Sequence, residues 1–167
     1  AVATITSADP LKSFWSNYER MDGWVTLVHL FLYTVVVTSI VSSEKLWQRL
    51  MQWMVGVSVL VSAYGLLQLI GVLSIGQATG AGLAARIDAT FGNPIYLAIY
   101  MLFHIFIAAL LWARAWQERP NKERTIYTVM YGSAIFLDTL TLLFTGTRGT
   151  IIGLVGGATI AGILLVL

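Results

Sequence analysis

Pro94-Ile95-Tyr96-Leu97-Ala98-Ile99-Tyr100-Met101-Leu102-Phe103-His104-Ile105-Phe106-Ile107-Ala108-Ala109-Leu110-Leu111-Trp112 contains one imidazole and no formally charged side chain. A run of about 20 such residues is what a helix needs to cross the roughly 30 Å hydrocarbon core of a bilayer. Its start is marked as well. Asn93 supplies a side chain that caps free helix N–H groups, and Pro94 fits the first helical position, where its missing donor costs nothing.

Four more apolar segments flank it: Trp24 to Val41, Leu46 to Leu73, Ile126 to Phe144 and Thr150 to Leu167. In lipid the backbone must satisfy its own hydrogen bonds, so such segments span as helices or as closed barrels. Barrel strands alternate apolar and polar residues, and Val59-Leu60-Val61 and Ile151-Ile152-Gly153-Leu154-Val155 do not. The expected fold is therefore all-α: a polytopic transmembrane bundle of about five helices, near 24–41, 46–73, 94–112, 126–144 and 150–167, behind an outer leader of residues 1–23. The whole chain, 1–167, reads as a single transmembrane domain.

Composition agrees. Of 167 residues, 57% are hydrophobic and 11% charged, with a mean hydropathy of +0.79, which excludes an ordinary soluble domain. Ten Lys and Arg against eight Asp and Glu leave a net charge of only +2, with no basic stretch interleaved with aromatics, so no nucleic-acid partner is expected. The absence of cysteine excludes disulfides, thiolate metal ligands and thiol nucleophiles. The chain begins at Ala1 and ends within an apolar run, so it is expected to be an internal fragment.

Basic residues orient the helices. Lys45 and Arg49 lie between residues 42 and 49, and Arg114, Arg119, Lys122 and Arg124 between 113 and 125. Both stretches are expected to be cytoplasmic loops. The first, third and fifth helices then start on the outer side, each preceded by one arginine: Arg20, Arg86 and Arg148. Helix N-termini expose unpaired N–H groups and partial positive charge, so these ends and three guanidinium groups favour a phosphate-bearing ligand. Thr145 and Thr147 can add hydroxyl donors, and Gly146 and Gly149 allow close backbone approach. The alternative is that the arginines snorkel to headgroups or pair with Glu19, Asp22 and Asp88.

His104 and Asp138 fall inside predicted helices, where an ionised side chain costs several kcal/mol unless it is paired or faces the bundle interior. A pair between them is one expectation. A structural role is favoured over a proton relay, with Thr139, Thr141, Tyr100 and backbone carbonyls as neutral partners. Gly149, Gly153, Gly157 and Ala161 recur every four residues and predict close helix packing along one face. No metal-ligand spacing, nucleotide-binding glycine loop or catalytic triad is present, so neither metal nor cofactor is expected.

Three polar motifs recur in a known order. Phe14-Trp15 followed by Arg20-Met21-Asp22-Gly23, then Arg86 with Thr90-Phe91-Gly92-Asn93-Pro94, then Thr145-Gly146-Thr147-Arg148-Gly149 resemble the motifs of the O-antigen ligase and polymerase family of bacterial membrane glycosyltransferases. The resemblance covers nearly the whole chain. It implies a multi-pass protein of the bacterial inner membrane that moves a glycan from undecaprenyl diphosphate to a lipid A-core, glycan or protein acceptor at the periplasmic face. It also implies that Arg86 and Arg148, with Arg20 as a third, bind the diphosphate leaving group, supported by Asn93, Thr145 and Thr147. Such enzymes carry a large periplasmic loop further along, where the resemblance places the residues that assist the acceptor. The general base is therefore expected beyond residue 167. Two other readings compete: a transporter or flippase module for an anionic substrate, with Asp138 and His104 lining a polar path, and a scaffold that uses the glycine face to bind a partner helix.

Overall fold

The computed structural model describes residues 2–16, 23–72 and 86–166. Among these residues the regular elements are all α-helices: α1 (Val2–Ile5), α2 (Pro10–Trp15), α3 (Trp24–Ile40), α4 (Glu44–Leu69), α5 (Pro94–Glu118), α6 (Asn121–Phe144) and α7 (Arg148–Val166). The all-α expectation holds. The chain divides into two compact units, residues 1–47 and 48–167.

In the first unit, part of the expected outer leader is helical. Asp9 caps α2 by accepting from the Lys12 amide at 3.2 Å, and Pro10 occupies the first turn, as capping chemistry favours. Phe14 of α2 stacks on Trp24 of α3 with ring centroids 5.8 Å apart. Gly23, just before α3, has to be glycine: a Cβ there would lie 2.5 Å from the Phe14 carbonyl oxygen and 2.7 Å from the Trp15 carbonyl carbon.

The second unit is built on α5 and α6, with α4 and α7 packed against them. Ile87, Ala89, Leu97, Met101, Ile105 and Leu142 form one buried cluster. Val55, Ala108, Leu111, Tyr131 and Ala134 form another. Large apolar side chains point outward, including Trp53, Phe103 and Phe136, each more than 60% exposed, as a lipid-facing surface requires.

Helix ends depart from the expected ones for local reasons. The second helix runs 44–69 rather than 46–73: Ser43 Oγ accepts from the Leu46 amide at 3.3 Å. At its other end Gly71 has φ +77, and the Val72 amide donates back to Leu67 O at 3.1 Å, a closure that stops a helix. The expected loop 113–125 is a tight turn. α5 continues to Glu118, and α6 begins at Asn121 with Pro120 O accepting from the Glu123 and Arg124 amides at 2.9 and 3.1 Å. The basic residues therefore sit on helix ends, where Arg119 lies over Tyr127 and Arg124 over Trp116. α7 starts at Arg148 rather than at Thr150.

Among the described residues three helices, α4, α5 and α6, are long and apolar enough to cross a membrane, with best-window mean hydropathies of 1.6, 2.2 and 1.4. The first and last of the five expected spans, Trp24–Ile40 and Arg148–Ile163, are apolar but shorter. At 1.5 Å per residue α3 is about 26 Å long, slightly less than the hydrocarbon thickness.

The middle of the glycine stripe of α7 packs as its spacing predicts, whereas Gly149 at its start faces open space. A Cβ at Gly153 would meet Leu102 of α5 at 3.4 Å, and one at Gly157 would lie 2.5 Å from the Phe106 ring. Gly156, on another face, has nothing within 4 Å. Gly157→Ala is predicted to destabilise by about 1–3 kcal/mol through overpacking, whereas Gly156→Ala is not. Thermal unfolding in detergent checks this, with the second change Phe106→Leu restoring the loss. Equal melting of both glycine variants would refute the packing assignment.

Candidate functional site

One end of the second unit gathers most of the polar motif residues, and α4 explains why. Ser58, Ser62, Gly65 and Gln68 are all buried on one face of this helix, in its largely apolar part after Gln52. Polar groups withdrawn from water need partners, and each finds one on another element. Ser58 Oγ lies 2.8 Å from Asp138 Oδ2, and Ser62 Oγ lies 2.6 Å from Asp138 Oδ1, which ties α4 to α6. Gln68 Nε2 donates to Asp88 Oδ1 at 2.8 Å, while its Oε1 accepts from the amides of Asp88 and Ala89 at 3.3 and 3.0 Å. One side-chain amide thus holds the backbone of the segment leading into α5. Gly65 leaves room for Ile87 Cδ1, 3.4 Å from where its Cβ would be.

The clamped segment reaches the turn between α6 and α7. The Ile87 amide donates to Phe144 O at 3.3 Å, and Arg86 Nε donates to Thr145 O at 2.8 Å. The Arg86 side chain lies across Gly146, whose φ of +64 suits glycine and whose Cβ would meet Arg86 Nε at 3.3 Å. The Arg86 and 145–149 motifs, 59 residues apart in sequence, are therefore joined directly. Arg148 is exposed and is the first residue of α7. Among the described residues nothing hydrogen-bonds the terminal guanidinium nitrogens of Arg86, and nothing pairs with Arg148. Arg86, Arg148 and the first-turn N–H groups of α7 form the rim of this end, donors of the kind that favour an anion.

The supporting residues serve the scaffold. Asn93 Oδ1 accepts from the Ile95 amide at 2.9 Å and caps α5. Thr145 is buried; its hydroxyl donates to Leu142 O at 2.7 Å and accepts from the Thr147 amide at 3.3 Å. Thr147 O accepts from Thr150 Oγ1 at 2.8 Å. The expected Thr145 hydroxyl donor is thus directed into the turn, not outward. Arg20 lies outside the described residues, as do Glu19 and Asp22. Asp88 accepts from Gln68.

Asp138 and His104 are both buried, but their hydrogen bonds run elsewhere than to each other. Asp138 takes Ser58 and Ser62 rather than Thr139, Thr141 or Tyr100. His104 Nδ1 is 2.7 Å from Tyr100 O, and its ring lies 3.9 Å from the Tyr100 ring. Among the described residues no group of three His, Asp or Glu side chains is placed to hold a metal ion.

No protein-family model, curated protein or solved structure matches this chain. Its class rests on its own geometry: an all-α protein with helices of membrane-spanning length.

Gln68→Leu removes the donor to Asp88 and the acceptor for two buried amides, a predicted loss of about 1–3 kcal/mol. Amide hydrogen exchange at Asp88 and Ala89 is expected to accelerate with it. Unchanged protection there would show that the segment is held by something other than this clamp.

Proposed function

We propose that this chain is part of a multi-pass glycosyltransferase of the O-antigen ligase type in a bacterial inner membrane. It would transfer a glycan from undecaprenyl diphosphate to a lipid A-core, glycan or protein acceptor at the periplasmic face. The observation that carries the reading is the hydrogen bond from Arg86 Nε to the carbonyl of Thr145, which puts the two arginine motifs at one end of the bundle. That end is the outer one by the distribution of basic residues.

When the bond between the glycan and the diphosphate breaks, negative charge grows on the departing phosphate oxygen. Fixed cationic donors stabilise that charge more than they stabilise the bound substrate, which lowers the barrier. Arg86 suits this because its Nε is already held by Thr145 O, so its planar fork meets the ligand with little freedom left to lose. Arg148 adds a second charge at a helix start. His104 is poorly placed to activate an acceptor, being buried in the α5 run with Nδ1 bound to a backbone carbonyl.

The rival transport reading needs Asp138 and His104 to line a polar path, yet Asp138 is fully buried with both oxygens engaged.

Arg148→Ala and Arg86→Ala are predicted to lower transfer from undecaprenyl diphosphate by about 100-fold or more with near-normal protein levels. Arg86→Lys is predicted to fail as well, because an ammonium group cannot hold Thr145 O and present a fork at once. The measurement is glycan transfer in membranes carrying each variant. Transfer retained in Arg148→Ala would remove the basis for the assignment, and anion uptake that depends on Asp138 would favour transport.

A further inference from the structure

Asp138 sits on the buried side of α6 with none of its surface exposed. Its surroundings contain a hydrogen-counting problem. Ser58 Oγ is 2.8 Å from Asp138 Oδ2 and 2.9 Å from the carbonyl oxygen of Val55. Ser62 Oγ is 2.6 Å from Asp138 Oδ1. Three oxygen–oxygen contacts therefore lie at hydrogen-bonding distance, and giving each a hydrogen of its own takes three. A carbonyl supplies none and each serine supplies one, so two hydrogens are available for three contacts.

The neighbouring groups do not supply the third. Met101 Sδ, 3.4 Å from Ser62 Oγ, brings no hydrogen. The titratable residues of α5 facing this region are Tyr100 and His104. The carbonyl of Tyr100 can only accept, so the hydrogen in its 2.7 Å contact with His104 Nδ1 belongs to the imidazole and is directed away from Asp138. Among the described residues no Lys, Arg or His forms an ion pair with Asp138.

We infer that Asp138 is held as the neutral carboxylic acid and itself donates the third hydrogen. Oδ2–H donates to Ser58 Oγ, Ser58 donates onward to Val55 O, and Ser62 donates to Oδ1. Every oxygen contact then has its hydrogen. The group becomes an uncharged pin between α4 and α6, two helical turns from Thr145, in a setting where an unpaired carboxylate is strongly disfavoured. This role is independent of any transferase activity.

The test is infrared spectroscopy of the full chain in lipid at neutral pH, with 4-13C-labelled aspartate. The expected result is an isotope-shifted acid C=O stretch that moves in D2O, is absent from Asp138→Asn and shifts in Ser58→Ala, where the acceptor is lost. Asp138→Asn is expected to melt with the wild type, since its NH2 donates to Ser58 and its carbonyl accepts from Ser62, while Asp138→Ala melts lower. Carboxylate bands that vanish in Asp138→Asn, with no acid band in the wild type, would overturn the inference. So would an Asn variant as unstable as the Ala variant.

Discussion

Ser58, Ser62, Gly65 and Gln68 form a polar face on the largely apolar part of α4, and that face fixes how the second unit is assembled. In an environment without water a polar side chain must find its partner in the protein. Sliding or rotating α4 would strand two hydroxyls and an amide together with Asp138 and the backbone of residues 88 and 89. The apolar contacts around this face tolerate many arrangements, because one aliphatic contact resembles another. The polar ones tolerate few. Register between α4, α6 and the segment entering α5 is therefore set by a handful of hydrogen bonds, with the two buried clusters filling the space between them.

The rim is a consequence of that register. Gln68 fixes the backbone at residues 88 and 89, which leaves Ile87 within reach of Phe144 O and Arg86 within reach of Thr145 O. Arginine has donors enough to divide between two tasks, one toward the scaffold and the rest outward. Gly146 completes the arrangement: its positive φ turns the chain toward α7, and its missing side chain leaves the surface over which Arg86 lies.

Much of the helical framework was legible in the sequence, because length and hydropathy mark a span and Asn93-Pro94 marks a helix start. The middle of the α7 glycine stripe was legible too, since small residues four apart on a helix admit a neighbouring helix, although Gly149 faces open space. The polar face of α4 was not read, although its spacing of four, three and three residues lies on one helical side. Ser, Gly and Gln are individually unremarkable in an apolar helix, and their meaning comes from residues 20 to 80 positions away. For the same reason Asp138 was assigned His104, Thr139, Thr141, Tyr100 or backbone carbonyls as partners, when its partners come from α4. Segment ends were misplaced where a serine cap, a positive-φ glycine or a proline turn decided the boundary locally. The motif threonines were read as ligand donors because a sequence cannot say that the Thr145 hydroxyl is buried against Leu142 O.

Depth separates two kinds of polar group in this protein. Inside the second unit hydrogen-bonding capacity is nearly used up. Among the described residues the buried side-chain polar atom without a partner is Thr141 Oγ1, and the methyl of that residue faces Gly65. A closed network of this kind gives rigidity and leaves nothing for a ligand to take. At the rim the balance reverses, since the terminal nitrogens of Arg86, the whole Arg148 guanidinium and the first turn of α7 keep donors that the fold does not use. Binding requires donors that are held in place yet unsatisfied, and only the second condition can be met by flexible surface arginines in general. Here Arg86 meets both, because the scaffold that fixes its Nε is the same scaffold that the buried pairs of α4 hold in register.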